Sequence, residues 1–555
     1  MIGAQILIEC LKREGVEAIF GYPGGQVLPI FDKLYDADFL KFILVRHEQG
    51  AAHAADGYSR ATGRVGVCLA TSGPGATNLT TGIATAYMDS IPMVAITGQV
   101  KTFLIGNDAF QEADVTGVTR PITKHNYLVK DVQDLARIVR EAFYIASTGR
   151  PGPVLIDIPS DIQMRDAEFI WPEKVDIRGY KPTFFGHPGQ VKKAAKIIAQ
   201  AKKPILYIGG GVITSGASGV LRELAQKLNC PVTMTMMGLG GFPGTHKLSL
   251  GMLGMHGTAY ANHAIMDADV IIAVGARFDD RVTGRLDAFA PTAKIIHIDI
   301  DPASISKNVR VDVPVVGDAK NILGELLEQI KNVPDTSEWL KTIDSWRKKS
   351  PLKYKDDGKI KPQYVIEELY ALTKGEAIIT TEVGQNQMWA CQWYKYNHPR
   401  TYISSGGLGT MGFGFPAAMG AKVGCPDKSV IDIAGDGSIQ MNIQELGTCV
   451  ANKINVKVVI LNNGYLGMVR QWQELFYKKR YSYVNITSPD FVKLAESYGA
   501  VGIRVTKKEE VRPALEKALS LDNTVFVDCH IEQEENVYPM VPAGEALNRM
   551  IEGLA

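Results

Sequence analysis

The sequence predicts an α/β protein with three doubly wound parallel-sheet domains. Short runs of β-branched residues alternate with helical periodicity along the chain, which is typical of parallel sheets covered by helices. Many of these runs lead directly into loops rich in glycine and proline. The chain has 555 residues, whereas one hydrophobic core stops growing at about 250–300 residues. Several domains are therefore expected.

The first predicted domain covers residues 1–165, with buried strands expected at residues 42–48, 65–75, 91–99 and 152–161. The segment around residues 165–190 follows neither the helical nor the strand period, and we interpret it as a linker. The second predicted domain covers residues 190–335, with strands expected at residues 203–211, 268–281 and 294–301.

A charged helix and a linker, from about residue 320 to 360, precede the third predicted domain. This domain covers residues 360–530, with strands expected at residues 375–385, 429–438 and 457–465. Residues 531–555 form a C-terminal tail.

Composition and charge favour small molecules as ligands. The net charge is +1, so neither nucleic acid nor an anionic membrane is expected as a partner, because both need a concentrated basic surface. The seven cysteines are scattered without a CxxC pair, which favours a reduced, cytoplasmic protein. The N-terminus resembles no signal peptide, and no apolar run reaches about 18 residues, so a soluble chain is expected.

Polar residues follow two predicted strands of the third domain. One strand leads into Gly435, Asp436, Gly437 and Ser438, after which apolar residues recur at helical spacing. The next strand ends at Asn463, 27 residues after Asp436, a length that suits a right-handed βαβ crossover. Both loops then emerge at the carboxyl edge of the sheet, where doubly wound folds bind ligands.

This arrangement predicts a joint site for a metal ion and a diphosphate. Carboxylate and amide oxygens suit Mg²⁺, which completes its shell with phosphate oxygens and water. The glycines let backbone N–H groups approach a diphosphate, and a helix beginning at Ser438 would offer its partial positive charge. The alternative is an ordinary turn beside an ordinary strand end; the 27-residue offset and the glycine-rich segment 404–421 favour the site.

The GDGS segment and the Asn-Asn pair resemble the diphosphate motif of thiamine-diphosphate enzymes, which have pyrimidine-binding, middle and diphosphate-binding domains. The resemblance implies that Asp436, Asn463 and the backbone carbonyl of Tyr465 hold Mg²⁺. It also implies that Glu48 is the carboxyl group that activates the cofactor's aminopyrimidine. The alternative for Glu48 is an acidic residue that stabilises the start of a helix.

Further cofactor contacts are implied by the same resemblance. They fall in the segments GYPGGQ, SGPGATN and GQNQ and around the two glycine-rich loops of the third domain. The expected thiamine-diphosphate contacts are Tyr22, Pro23, Glu48, Pro74, Asn78, Gln111, Val383, Gly384, Gln385, Asn386, Gly409, Met411, Gly435, Gly437, Ser438, Gly467 and Met468.

Within these enzymes the whole chain resembles the catalytic subunits of the acetohydroxyacid synthase family. The most discriminating segments are DAFQEAD (108–114), GMLGMHGTAYAN (251–262) and GARFDDRVTGR (275–285). The implied reaction is decarboxylation of pyruvate followed by ligation of the two-carbon unit to pyruvate or 2-oxobutyrate, the first common step of branched-chain amino acid biosynthesis. The implied residues around the reacting atoms, besides Glu48, are Gly25, Phe110, Gln111, Arg277, Met411 and Trp472.

A flavin site in the second domain rests on resemblance alone. The segment YIGGG (207–211) lacks the GxGxxG spacing and is poor evidence for a dinucleotide by itself. Resemblance implies FAD without net redox chemistry, bound by Arg150, Gly209, Gly210, Gly211, Thr235, Met236, Met255, His256, Gly275, Arg277, Asp279, Arg281, Asp299, Ile300, Asp318 and Ala319.

The resemblance also implies a homodimer or homotetramer, because the two ends of the cofactor are contacted by different subunits, and it raises a small regulatory subunit as a candidate partner. Lys101 and Ser160 depart from the family pattern near the expected substrate channel, and residues 538–550 are atypical. The alternative functions are an FAD-dependent pyruvate oxidase, another thiamine-diphosphate carboligase, or a non-catalytic FAD-holding paralogue.

Overall fold

The computed structural model describes residues 1–553 and contains three parallel sheets of six strands each. Every strand pair is parallel, and helices connect the strands, so the predicted fold class is confirmed. No helix among residues 1–553 combines the length and the apolar character needed to cross a bilayer.

The first unit, residues 3–164, has strand order β2-β1-β3-β4-β6-β5. Its elements are α1 (Gly3–Arg13), β1 (Ala18–Gly21), α2 (Leu28–Leu34), β2 (Lys41–Leu44), α3 (Glu48–Thr62), β3 (Gly66–Ala70), α4 (Pro74–Asn78), α5 (Thr80–Asp89), β4 (Met93–Gln99), α6 (Val115–Thr119), β5 (His125–Leu128), α7 (Leu135–Ser147), β6 (Pro153–Pro159) and α8 (Ser160–Met164).

The middle unit, residues 188–349, has strand order β12-β11-β10-β7-β8-β9. Its elements are α9 (Pro188–Ala199), β7 (Pro204–Ile208), α10 (Gly210–Thr214), α11 (Ser218–Leu228), β8 (Val232–Met234), β9 (Ser249–Met252), α12 (Ala259–Asp267), β10 (Val270–Val274), α13 (Asp280–Thr283), β11 (Lys294–Asp299), β12 (Val313–Val316), α14 (Ala319–Gln329) and α15 (Ser337–Lys349).

The third unit, residues 362–530, has strand order β14-β13-β15-β16-β18-β17. Its elements are α16 (Pro362–Thr373), β13 (Ile378–Thr381), α17 (Gln385–Trp393), β14 (Tyr402–Ile403), α18 (Gly414–Gly424), β15 (Val430–Gly435), α19 (Leu446–Asn452), β16 (Lys457–Asn462), α20 (Gly467–Phe476), α21 (Phe491–Ser497), β17 (Val501–Val505), α22 (Val511–Ser520) and β18 (Val525–His530).

The first and third units share one topology, because counting strands from the start of each unit gives the order 2-1-3-4-6-5 in both. The middle unit instead has the order 3-2-1-4-5-6, which is the strand order of dinucleotide-binding folds. Residues 165–187 contain no helix or regular strand, as the linker interpretation predicts.

One local prediction in the third unit was wrong. The residues after Ser438 form two short 3₁₀ turns, Ile439–Met441 and Ile443–Glu445, and α19 begins only at Leu446. The apolar spacing of three and four residues is compatible with short 3₁₀ turns as well as with an α-helix, so the pattern did not distinguish the two. Ser438 therefore does not lie at the N-terminus of an α-helix.

The first and third units are joined by close packing of α3 on α18. A Cβ atom at Gly57 would overlap the carbonyl oxygen of Ala417, and one at Gly420 would overlap that of Ala54. Both glycines therefore let the two helix backbones approach. The C-terminal tail runs back to the middle unit, where Val541 and Leu547 are buried and the Val541 N–H donates to the Met255 carbonyl at 2.8 Å.

Candidate functional site

Each sheet has a switch point, where the chain leaves two neighbouring strands toward opposite edges of the sheet. In the first unit this point lies between β1 and β3, in the middle unit between β7 and β10, and in the third unit between β13 and β15. The carboxyl edge at a switch point is the binding crevice of open α/β sheets. All three crevices are lined by residues that the sequence predicted to bind cofactors.

At the crevice of the third unit, Asp436 and Asn463 converge as the 27-residue offset predicts. The Asn463 backbone N–H donates to Asp436 Oδ1 at 3.4 Å, and the Ser488 hydroxyl donates to Oδ2 at 2.9 Å. The Asn463 side-chain oxygen accepts from the Tyr465 N–H at 3.0 Å, which brings the third expected metal ligand alongside.

These residues fit a divalent cation. Asp436 is 1% exposed, and burial raises the pKa of its carboxyl group. Its carboxylate is hydrogen-bonded but has no cationic side chain among its partners, so a bound dication would offset the cost of burying the charge. A carboxylate, a side-chain amide oxygen and a backbone carbonyl are the kinds of oxygen ligand that suit Mg²⁺.

The neighbouring predicted contacts surround this centre. Asn386 donates to the Ile433 carbonyl at 2.8 Å, and a Cβ atom at Gly435 would lie 3.3 Å from the Asn386 side-chain oxygen. Gly467 begins α20 beside Gln385, where a side chain would overlap the amide of Gln385. Gly435 and Gly467 therefore let the amides of Asn386 and Gln385 pack closely against the backbone of the crevice.

At the crevice of the first unit, Glu48 is the first residue of α3 and accepts a hydrogen bond of 2.9 Å from the Asn78 side-chain amide. Its other oxygen would lie 3.3 Å from a Cβ atom at Gly75, next to Pro74. The helix-start position fits both interpretations of Glu48, but the contact with the switch-point loop places it in the crevice.

The remaining predicted residues of the first unit lie at the same edge. Tyr22 and Pro23 follow β1, a Cβ atom at Gly25 would meet no atom within 4 Å, and a Cβ at Gly73 would lie 2.7 Å from the Gln111 carbonyl. Phe110 is 84% exposed, and Tyr22 is 40% exposed. This crevice is thus open on one side and carries exposed aromatic rings.

The two departures from the family pattern are neighbours in space. The backbone N–H of Thr102, the residue after Lys101, donates to the carboxylate of Asp161, the residue after Ser160, at 2.8 Å. Lys101 is exposed, and Ser160 begins α8.

A cavity of about 860 Å³ is lined by residues of all three units. It is lined by every residue predicted to bind FAD, namely Arg150, Gly209, Gly210, Gly211, Thr235, Met236, Met255, His256, Gly275, Arg277, Asp279, Arg281, Asp299, Ile300, Asp318 and Ala319. The same cavity is lined by Val383, Gly384, Gly409, Met411, Met468 and Trp472 of the third unit. Glu48, Gly25, Phe110 and Gln111 do not line it.

The cavity lies at the switch point of the middle sheet, between the ends of β7 and β10. Gly275 has φ +57°, and a Cβ atom at Gly211 would lie 2.6 Å from the Gly275 Cα atom, so both positions need glycine. The absent GxGxxG motif gave no indication of a dinucleotide site. The strand order, which appears only in the fold, supports one.

Sequence reasoning missed a buried ion-pair network at the cavity rim. Arg60 pairs with Asp56 at 2.5 Å and with Asp89 at 2.9 Å. Asp89 also accepts the backbone N–H groups of Gly406 and Gly407 at 2.9 and 2.7 Å, so a residue of the first unit fixes the glycine-rich loop of the third. Arg60 and Asp56 have the i,i+4 spacing of helix neighbours, but Asp89 and the loop at Gly406 and Gly407 lie far apart in sequence, and no spacing rule would have paired them.

Sequence reasoning also missed two fully buried carboxyl groups beneath this loop. Glu382 accepts the N–H groups of Gly412 and Phe415 at 2.7 and 3.0 Å, and the Thr380 hydroxyl donates to Asp432 at 2.9 Å. Burial raises the pKa of both Glu382 and Asp432, and the charge on either one opposes ionisation of the other. Glu382 thereby holds the segment that carries Met411.

Comparison with known protein families agrees with this architecture. Residues 1–118 match "Thiamine pyrophosphate enzyme, N-terminal TPP binding domain", residues 191–326 match the central domain, and residues 382–529 match the C-terminal TPP binding domain. The fold and the matched domains define a thiamine-diphosphate-dependent enzyme.

Individual relatives are similar over nearly the whole chain. The acetolactate synthase large subunit of Buchnera aphidicola from Schizaphis graminum is 54% identical, and that of Haemophilus influenzae is 52% identical; each alignment covers 99% of this chain and 98% of the relative. The acetolactate synthase isozyme 3 large subunit of Escherichia coli K12 is 51% identical, and the alignment again covers 99% of this chain and 98% of the relative. The chain belongs to the acetolactate synthase large-subunit family.

Proposed function

We propose that the chain decarboxylates pyruvate and ligates the resulting two-carbon unit to a second pyruvate or to 2-oxobutyrate. The observation that carries the proposal is the shared cavity, which is lined by Arg277 of the middle unit and by Trp472 and Met411 of the third unit. A guanidinium group can hold the carboxylate of a 2-oxo acid through two hydrogen bonds, and an indole face offers contact area for discrimination.

Thiamine diphosphate, when bound, supplies the carbon nucleophile that pyruvate requires. We assign to Glu48 the exchange of a proton with the pyrimidine end of the cofactor. Asn78 orients the Glu48 carboxyl group through its 2.9 Å hydrogen bond, and Gly75 leaves the opposite oxygen accessible. Gly25, Phe110 and Gln111 would shape the space above the reacting atoms.

Asp436, Asn463 and the Tyr465 carbonyl would hold Mg²⁺, and through it the diphosphate. The raised pKa of the buried Asp436 carboxyl supports this assignment, since a dication would favour its ionised form. Gly435 and Gly437 flank the carboxylate and let backbone N–H groups approach the phosphates.

The cavity at the middle switch point would hold FAD. Its volume of about 860 Å³ and the dinucleotide-type strand order support a large cofactor there. Asp299 is the last residue of β11, and Asp318 directly precedes α14. Their carboxylates can accept hydrogen bonds from hydroxyl groups of the cofactor. We assign FAD no net redox role in ligation.

A second copy of the chain would complete the site. Within one chain Glu48 and Phe110 do not line the cavity that Met411 and Trp472 share. The exposed rings of Phe110 and Tyr22 support burial of this edge against a partner copy. A homodimer is then the smallest active form, and we propose a small regulatory subunit as an additional partner, following the large-subunit names of the relatives.

Incubation with pyruvate, thiamine diphosphate and Mg²⁺, with and without FAD and oxygen, tests the activity. We expect acetolactate without hydrogen peroxide. Acetyl phosphate together with peroxide, formed when phosphate is present, would instead establish a pyruvate oxidase. Absence of any product from correctly folded, cofactor-loaded protein would favour the non-catalytic paralogue.

A further inference from the structure

A row of buried side-chain amides leads from the C-terminal tail to Asn463. Gln471, on α20, is completely buried and pairs with the backbone of Val537 through two hydrogen bonds. The Val537 N–H donates to Gln471 Oε1 at 2.9 Å, and Gln471 Nε2 donates to the Val537 carbonyl at 3.1 Å. A backbone N–H only donates and a carbonyl only accepts, so this pairing determines which end of the Gln471 amide is the oxygen.

The orientation of the Gln471 amide determines the orientation of the neighbouring Gln385 amide. Gln385 Nε2 donates to Gln471 Oε1 at 2.8 Å and to the Glu535 carbonyl at 3.0 Å. The two acceptors fix the nitrogen end of Gln385, so its oxygen faces the other way. Gln385 Oε1 accepts from Asn463 Nδ2 at 3.3 Å, which holds the nitrogen end of Asn463, while the Tyr465 N–H holds its oxygen end at 3.0 Å.

The orientation of the Asn463 amide affects metal binding because one end of an amide accepts and the other end donates hydrogen bonds. Only the oxygen of Asn463 can coordinate a cation, and an Asn463 rotated by half a turn would direct its N–H groups at it. Gly467 leaves room for the arrangement, because a Cβ atom there would overlap Gln385 Oε1 and lie 2.9 Å from Asn463 Nδ2.

We propose that Gln471 is a positioning residue of the metal site, which acts through Gln385 to keep the side-chain oxygen of Asn463 directed at the cation. The inference rests on the metal site proposed above. Gln471 precedes Trp472 on α20 and is anchored by the tail at Val537, so the tail contributes to metal binding without reaching the metal.

The test is the magnesium dependence of cofactor binding. In Gln471→Leu, the amide is replaced by an apolar side chain of similar size. Magnesium is titrated into the full-length protein at saturating thiamine diphosphate, and binding is followed by tryptophan fluorescence. We expect the magnesium concentration for half-saturation to rise about 10–100-fold, as for loss of other residues that orient metal ligands, with binding regained at high magnesium.

Gln473→Leu is the matched control. Gln473 lies on the same helix and also pairs its amide with a backbone N–H and a carbonyl, both of Ser482, at 2.9 and 3.1 Å. This pair leads away from Asn463. We expect the control to leave the magnesium half-saturation unchanged, so a general weakening of α20 would be distinguished from loss of orientation.

Gln385→Met provides a second, independent variant and carries the test if Gln471→Leu does not fold. It breaks the link between Gln471 and Asn463 and should raise the magnesium half-saturation to a similar extent. The double variant should bind magnesium no more weakly than Gln385→Met alone, because both changes interrupt one chain of contacts. Wild-type magnesium dependence of Gln471→Leu, or fully additive effects, would overturn the inference.

Asp436→Asn separates this inference from the proposed metal site. If Asp436→Asn loses magnesium-dependent binding and Gln471→Leu does not, only the positioning role fails. If Asp436→Asn also retains wild-type magnesium dependence, the metal site itself is misassigned.

Discussion

The side-chain carboxylate of Asp89 accepts the backbone N–H of Gly407 at 2.7 Å, and this hydrogen bond joins the first unit to the third at the rim of the large cavity. The Asp89 side chain is fully buried and also pairs with Arg60. Replacing Asp89 with alanine would leave Arg60 with one carboxylate instead of two and would release the loop.

We therefore expect Asp89→Ala to lower the free energy of unfolding by about 3 kcal/mol, as for removal of one partner from a buried ion pair. Chemical denaturation of the purified variant measures this. Asp134→Ala is the control, because Asp134 pairs with Arg137 at 2.9 Å on the exposed surface and its loss should cost less than about 1 kcal/mol. Equal effects of the two changes would contradict the role of Asp89.

Glu48→Gln should abolish most acetolactate formation while leaving the fold intact. Glutamine can still accept the hydrogen bond of Asn78 but cannot exchange a proton at this position. The expected loss is about 10²–10⁴-fold in kcat, the usual contribution of a positioned acid or base. Glu9→Gln serves as the control, because Glu9 is a half-buried residue of α1 that pairs with Arg13 and is not among the predicted site residues. A Glu48→Gln enzyme with unchanged activity would contradict the assignment.

Asp436→Asn should have opposite effects on the cofactor-free and the cofactor-loaded protein. Burial raises the pKa of Asp436, so its folded form binds the proton more tightly than its unfolded form does. In the cofactor-free protein the ionised carboxylate destabilises the fold at high pH, so we expect the variant to be the more stable protein at pH 8. This advantage should shrink as the pH falls and Asp436 becomes protonated.

With magnesium and thiamine diphosphate present, the ranking should reverse, since the wild-type carboxylate binds the metal. Magnesium-dependent thiamine-diphosphate affinity should fall more than about 100-fold in the variant. Thermal unfolding with and without cofactors, at pH 8 and at about pH 4.5, close to the ordinary aspartate pKa, measures both effects. A variant stabilised by the cofactors as strongly as wild type would contradict the metal site.

Glu382→Gln should flatten the pH dependence of stability. Burial raises the pKa of Glu382 in the folded protein, so between its ordinary and its raised pKa the folded state holds more protons than the unfolded state. Stability should therefore increase as the pH falls through this window, and decrease as the pH rises. The stability of the wild-type protein should depend on pH in this way, and the stability of the variant should depend on pH less steeply.

The measurement is the denaturation midpoint of the cofactor-free proteins between pH 5 and pH 8. Asp432 is the coupled partner and remains in the variant, so the comparison reports the pair rather than one isolated group. Identical slopes in the two proteins would show that Glu382 does not titrate in this range.

Gly211→Ala should prevent FAD from binding. A methyl group there would lie 2.6 Å from the Gly275 Cα atom and would force apart the ends of β7 and β10, at a cost of about 1–3 kcal/mol. Flavin fluorescence measures binding. Gly219→Ala, on α11 where a Cβ atom meets nothing within 4 Å, should bind FAD normally. Normal FAD binding by Gly211→Ala would place the flavin elsewhere.

The sequence by itself determined the fold class, the crossover that brings Asp436 to Asn463, and the family. Strand-to-helix alternation and a spacing long enough for a βαβ crossover are local properties, so they can be recognised in the sequence. The edge strands β14 and β17 were not predicted, because β14 has only two residues and β17 is mostly half-exposed and lacks a buried apolar run.

Only the tertiary structure decided which distant residues support the site. Asp89 and Gly407 are 318 positions apart, and Gln471, anchored by the tail at Val537, is linked to Asn463 through Gln385. The dinucleotide strand order of the middle unit likewise appears only when β10 pairs with β7. Contacts between elements depend on how the chain is packed in space, and no local periodicity encodes that packing.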